Sequence, residues 1–540
     1  MSVNAASRTS SKVLRVSKSF SSAITITPDE LTGIIHGQDK KVEETTRTYP
    51  KAYEEIPGPK ELPLIGNAWR FAPFIGQYKI HELDKVMMSL HKDFGNVVRV
   101  GGLVGHPDLL FVFDGEEIRR VFRREETLPH RPSMPSLHHY KAVLRKDFFG
   151  KDAGIIGVHG EKWDAFRAQV QQLMLQPATA KRFVGPLDEI AGDFMQRIHE
   201  MRDGNQELPG NFLGELYKWA LESIGRVALD TRLGCLSRDL EPNSEPQRII
   251  SAINTFFWNV AEVELRVPLW RIYPTKSYRK YIGALDEFRE LCMKYISIAM
   301  ENMDKSNASG NYSIVQKILN ETSNPKLAAV LALDLLLVGV DTTSVAMTTT
   351  IYQLSQNQEK QRRLRDELKS ILPTPGTPID VQALEKMQYL KACIKEALRM
   401  KPVILGNGRS LQSEAVVGGY KVPKGTHVIF PHYVVSNEER YFKEPEQFRP
   451  ERWLKARNAC PHADQEARTE DQIHPFVSLP FGYGRRTCLG RRFAEAELQI
   501  LLAKIFRKYD VQYNYGQLTY KVSPTYIPVE PLKFKLTELS

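Results

Sequence analysis

A chain of 540 residues with 42% hydrophobic and 26% charged residues has a globular composition and enough apolar mass for a sizeable core, which excludes a disordered or fibrous protein. Its five cysteines, at 235, 292, 393, 460 and 488, include no CxxC pair, which excludes a zinc ribbon or a disulfide framework and points to a reducing compartment. The formal net charge of +10 suits an acidic protein partner or an anionic membrane surface; no nucleic-acid motif accompanies it, so no nucleic acid is expected.

Met1 to Pro28 contains no Asp or Glu, while Arg8, Lys12, Arg15 and Lys18 alternate with serines. Such a leader reads as a mitochondrial transit peptide, expected over residues 1–50, with 51–540 a single domain that has no internal repeat and no long linker. No apolar run near it reaches the ~18 residues that a spanning helix needs. Ordered structure is expected from the rigid turn Ile56-Pro57-Gly58-Pro59. Short strands are expected at Val97–Val100 and Leu109–Phe113, where β-branched and aromatic residues cluster. Apolar spacing of three and four predicts scaffold helices over Arg182–Arg202 and Glu215–Leu229. Between Val267 and Tyr281, Leu269, Trp270, Ile272 and Tyr273 mingle with Arg271, Lys276, Arg279 and Lys280. That mixture suits a membrane interface or an ordinary amphipathic helix.

Asn324 followed by Pro325 is a helix start, and the helix should run to about Gln356, roughly 45 Å at 1.5 Å per residue. Its run LAAVLALDLLLVGV resembles a membrane segment, but Asp334 and Asp341 interrupt it mid-chain, so a buried central helix is expected. Gly339 costs about 1 kcal/mol against alanine inside a helix, and beside it stand Asp341, Thr342 and Thr343. In KACIKEALRM, Glu396 and Arg399 are stacked at i, i+3, a pair worth little at a surface. Lys391 and Lys395 share a face there and repel unless something acidic lies opposite. Trp163 and Arg167 share a face in GEKWDAFRAQV, and Arg409 follows Gly406-Asn407-Gly408.

The run FGYGRRTCLG, residues 481–490, is built to present one thiolate to a metal. Glycines at 482, 484 and 490 allow tight turns and a close approach to a flat macrocycle. If that metal is haem iron, Phe481 would shield the sulfur, Arg486 would offer a bidentate fork to a propionate, and Cys488 would supply the thiolate that favours O–O cleavage. The string resembles the haem-binding loop of the haem-thiolate monooxygenases, the cytochrome P450 superfamily, from about residue 56 to the end.

That resemblance implies a mainly α fold with a smaller β-rich region and a long central oxygen-activating helix. It implies haem b (iron protoporphyrin IX), with Cys488 as axial ligand, Phe481 beside it, and Trp163, Arg167, Arg409 and Arg486 for the propionates. Asp341 and Thr342 would relay protons, and Glu396, Arg399 and Arg452, the last in Phe448-Arg449-Pro450-Glu451-Arg452-Trp453, would form a structural network. Val338 stands where the family usually has Ala or Gly, which narrows the space over the haem. Substrate contact falls by resemblance to Val338, Val340, Val403, Ile404, Leu405, Tyr526 and Ile527, an apolar set suited to a lipophilic small molecule.

Lys391 and Lys395 resemble the lysine pair with which mitochondrial members bind an acidic iron–sulfur (2Fe-2S) ferredoxin, with Arg485, Arg491 and Arg492 extending the positive surface. A separate NADPH-dependent reductase is then expected. The pattern looks most like the insect mitochondrial branch, which acts on xenobiotics and steroids from the matrix side of the inner membrane, with peripheral membrane contact. The alternatives are a haem-thiolate isomerase or dehydratase, and a non-catalytic haem- or lipid-binding protein.

Overall fold

Helices form where apolar residues recur at three and four, and they pack around one that is apolar on every side. The computed structural model describes residues 49–540 apart from 73, 125–126, 132–133, 239, 302–312, 455–472, 530 and 540. The basic leader therefore lies outside the described residues. The helices that position the site are α1 (Leu83–Phe94), α2 (Gly160–Leu175), α3 (Val184–Met201), α4 (Phe212–Leu229), α5 (Glu245–Glu264), α6 (Lys276–Glu301), α7 (Pro325–Gln356), α8 (Gln388–Met400) and α9 (Arg491–Lys508).

The long helix α7 starts as its sequence dictates, with Pro325 in the first turn and Asn324 Oδ1 accepting from the Leu327 amide at 3.1 Å. It is long and apolar enough to cross a membrane, yet 83% of its most apolar window is buried inside the fold. Helices α4, α6, α8 and α9 surround it and share its hydrophobic core with α2, α3 and α5. A Cβ at Gly339 would meet Ile224 Cγ1 of α4 at 3.3 Å, so this glycine lets the two helices close on each other.

A second core lies under a four-stranded sheet. Its strands are β1 (Val97–Val100), β2 (Leu109–Val112), β3 (Asn407–Ser410) and β4 (His427–Phe430), in the order β1-β2-β4-β3. Only the β2–β4 pair is parallel. Near the carboxyl end, β5 (Tyr509–Tyr513) pairs with β8 (Phe534–Glu538), and β6 (Tyr520–Ser523) with β7 (Thr525–Pro528). The fold is thus mainly α with a smaller β-rich region.

Asp334, which seemed to break the apolar run, is buried in an ion pair with Lys141, Nζ to Oδ1 at 2.8 Å. Its other oxygen accepts from the Ile155 amide at 2.8 Å. Lys141 lies in a single π turn, Tyr140–Leu144. The network around Glu396 is likewise interior. Glu396 takes Arg399 at 2.8 and 2.9 Å, Arg452 Nε at 3.0 Å, the Arg449 amide at 3.1 Å and Trp453 Nε1 at 2.8 Å. The side chains of Glu396 and Arg399 are fully buried. Arg399 also donates to the Ser436 and Pro445 carbonyls.

Candidate active site

The cysteine loop closes on itself. The Cys488 amide donates to the Phe481 carbonyl at 2.8 Å, and Gly482 and Gly484 both sit at φ +70°, which favours glycine. Gly490 sits at φ −84°, so its own turn does not require glycine. Cys488 carries open surface, yet burial pushes its thiol up. Together these place the sulfur on the wall of an interior cleft. The Gly490 amide, then Arg167, Arg131 and Arg491, pull it back down.

A second open face lies on α7. From Leu327 to Ser355 every residue is buried except Val338, Gly339 and Thr342. Positions i, i+1 and i+4 fall on one helix face, so this face borders open space while the rest is packed. Thr342 Oγ1 donates back to the Val338 carbonyl at 2.8 Å. Asp341 lies off that face, 1% exposed, and accepts from Tyr217 of α4 and Thr525 of β7, both at 2.8 Å. Burial pushes its carboxyl up to about 6 against the pull of the two hydroxyls.

Each of the three arginines has its own anchor. Arg167 donates to the Thr487 carbonyl at 3.0 Å, while its Nε is buried without a hydrogen-bond partner. Arg409 lies against the Phe122 ring and donates to the Tyr483 carbonyl at 3.1 Å. Arg486 stacks 3.5 Å from the centre of the Trp163 ring and donates to the Pro129 and Val158 carbonyls, clamping the 129–131 and 158–159 segments to the cysteine loop.

Sequence reasoning missed Arg131, His130 and His159. Arg131 is pushed down by burial and then by Arg409, with Cys488 opposing. Arg167 is pulled down to about 10 by burial, offset by Cys488 and reinforced by Arg131 and Arg485. His130 stacks on His159 at 3.9 Å, and its Nδ1 is buried without a partner. Burial and the neighbouring cations hold His159 neutral, down to about 3. The only signal was a His-Arg step between prolines in a loop, which no spacing rule singles out.

Burial of Arg131 and Arg167 beside one another and beside the Cys488 thiol, with Arg167 Nε lacking a hydrogen-bond partner among the described residues, suits a bound anion. The two carboxylates and the metal of haem fit that donor set, with Arg131, Arg167 and Arg409 the residues that would hold the propionates and Cys488 the iron.

Among the predicted substrate residues, Val338 is on the cleft face, Ile404 is 44% exposed, and Val403 and Ile527 are partly buried against the helical core. Val340, Leu405 and Tyr526 are a correction: all three are packed shut, and the Tyr526 hydroxyl donates to Asp84 of α1 at 2.8 Å. Alternation along β7 turns Tyr526 away from α7 while Thr525 and Ile527 face it.

On α8 Lys395 is exposed, 5.9 Å from the Trp453 ring centre. Lys391 is half-buried, and its Nζ donates to the Glu385 carbonyl at 3.1 Å. Burial lowers its pKa, against Glu367, Glu385 and Glu495. Arg485 pairs with Asp164 and Arg491 with Glu495, while Arg492 is bonded to the Leu175 carbonyl and has no carboxylate partner among the described residues.

The family model described as Cytochrome P450 matches residues 56–537. The chain is 62% identical to "Probable cytochrome P450 49a1" of Drosophila melanogaster, over 90% of this chain and 83% of that protein. It is 48% identical to "Probable cytochrome P450 301a1, mitochondrial" of the same species, over 90% and 87%. To "Probable cytochrome P450 12a5, mitochondrial" it is 35% identical, over 91% of each. A match along nearly the whole folded length, over a cysteine walled in by arginines, makes this chain a member of the cytochrome P450 family, a haem-binding monooxygenase.

Proposed function

We propose that this chain is a mitochondrial monooxygenase that inserts one oxygen atom of O2 into a lipophilic small molecule, a xenobiotic or a steroid-like compound. The observation that carries the reading is an accessible Cys488 held beside the buried Arg131 and Arg167, in a fold whose central helix leaves only Val338, Gly339 and Thr342 unburied between Leu327 and Ser355. Haem, when bound, supplies the oxygen activation. The chain's own residues do the rest. Cys488 gives the thiolate, and Arg131, Arg167 and Arg409 take the propionates. Val338, Val403, Ile404 and Ile527 bury an apolar substrate with little hydrogen bonding. Thr342 and Asp341 hold and move protons toward the distal side. Glu396, Arg399 and Arg452 fix the segment that leads to the cysteine loop.

Electrons would come from an acidic 2Fe-2S ferredoxin and its NADPH-dependent reductase, docked at Lys395, Lys391 and Arg492. The basic leader and the word "mitochondrial" in the names of two relatives support a mitochondrial protein. We place it on the matrix side of the inner membrane. Leu269, Ile272 and Tyr273 stand exposed on the segment between α5 and α6, next to exposed Leu265 and Val267, and would rest in the membrane surface. Trp270 is not part of that face: it stacks on Tyr278 at 5.1 Å.

Substituting Cys488→Ser tests the reading. The reduced, carbon-monoxide-bound protein should lose its thiolate band, and NADPH oxidation with ferredoxin and reductase should stop. A serine variant that keeps the parental band and turnover refutes the ligand, and substrate turnover without reductant would favour the isomerase alternative.

A further inference from the structure

We infer that Thr525 and Tyr217 are positioning residues for Asp341, holding its carboxyl from two elements outside the long helix and thereby setting how readily it exchanges a proton. The inference rests on the reading of Asp341 and Thr342 as the proton path. Its grounds are geometric. Asp341 precedes Thr342 by one residue, about 100° around the helix, so it does not face the cleft that Thr342 borders. Both of its oxygens are taken by hydroxyls, Tyr217 Oη on Oδ1 and Thr525 Oγ1 on Oδ2, each at 2.8 Å. Among the described residues no cation shifts it; the influences on it are burial, then Thr525, then Tyr217. Burial favours the neutral acid and the two donated hydrogen bonds favour the carboxylate, so the balance between the forms is in the hands of those hydroxyls.

The two donors are held differently. Tyr217 belongs to α4, which packs along α7 in the helical core. Thr525 stands at the tip of the β6–β7 hairpin, a two-stranded ribbon whose register pairs Ser523 with Thr525 around Pro524. Its hydroxyl has a longer alternative in the Ser523 carbonyl, at 3.4 Å. The next residue is tied to the substrate side: the Tyr526 amide donates to the Val403 carbonyl at 2.7 Å, and Ile527 shares the Thr525 face. A shift of the hairpin therefore changes one of the two hydrogen bonds on Asp341 and leaves the other.

The test is an infrared titration of the purified holoprotein, reading the protonated carboxyl stretch that Asp341→Asn removes. Thr525→Val and Tyr217→Phe should each raise its midpoint by about one pH unit or more, because each deletes a hydrogen bond to the charged form. Thr525→Ser should restore the parental midpoint. The inference is overturned if neither substitution moves the midpoint in protein that keeps its carbon monoxide band, or if Asp341→Asn removes no titrating band. If one variant fails to fold, the other still decides. A second readout, the share of NADPH consumption released as hydrogen peroxide, separates the two layers. Midpoints that rise while that share stays constant uphold the positioning role and remove Asp341 from the proton path.

Discussion

Glu497 lies on α9 just beyond the cysteine loop, 4% exposed, with Oε1 lacking a hydrogen-bond partner. Burial pushes its carboxyl up to about 8, opposed only by Thr343. The sign of its effect on stability follows from proton counts. Between about 4.5 and about 8 the native protein keeps a proton that the unfolded chain has released, so stability falls as pH rises through that window. Asp341, raised to about 6, and Glu264, raised to about 7, act in the same direction lower in the range. Thermal melts of Glu497→Gln at fixed ionic strength should therefore lose less stability from pH 5 to pH 8 than the parent, by up to a few kcal/mol at ~1.4 kcal/mol per unit. The difference should persist between pH 7 and 8, and parallel curves there would rule this out. Nothing in the local string AEAELQI marks Glu497, because its burial is a product of helix packing.

At the scale of elements, the long helix is joined to the π turn by the buried Lys141–Asp334 pair. Removing one partner strands a charge in the core, whereas removing both charges leaves a carbonyl for the Ile155 amide. Lys141→Met alone should cost about 3–5 kcal/mol in urea denaturation, and Lys141→Met with Asp334→Asn should recover most of it. A single-variant cost under ~1 kcal/mol would mean that the pair does not bind these elements together. The ends of α7 were legible beforehand because Asn324 and Pro325 act locally. The strands at 97–100 and 109–112 were legible for the same reason, their β-branched runs lying between turn residues. The partner of Asp334 was not, since Lys141 lies 193 residues away and only the tertiary fold brings them together. Likewise, Gly339 reads in sequence as a costly residue inside a helix, and its packing role depends on Ile224 of another helix.

Across the whole molecule the cysteine loop was the most legible part of the site, because its turns and its ligand are contiguous in the chain. The cations around it were half legible: Arg167 and Arg409 sit in helix and strand contexts with a pattern, while Arg131 and the His130–His159 stack come from loops joined only in three dimensions. The lysine pair was visible as a shared face, but not the difference between its members. Lys395 stands free to meet a partner, whereas Lys391 is half-buried among Glu367, Glu385 and Glu495, which offset its charge. If an acidic ferredoxin docks here, Lys395→Gln should raise its KM about fivefold and flatten the rise of KM with salt, because a screened rim charge acts mainly on encounter. Lys391→Gln should do less on both counts. Steady-state NADPH oxidation over a series of salt concentrations distinguishes the cases. An unchanged salt slope in Lys395→Gln, or a larger effect from Lys391→Gln, would move the docking surface away from α8.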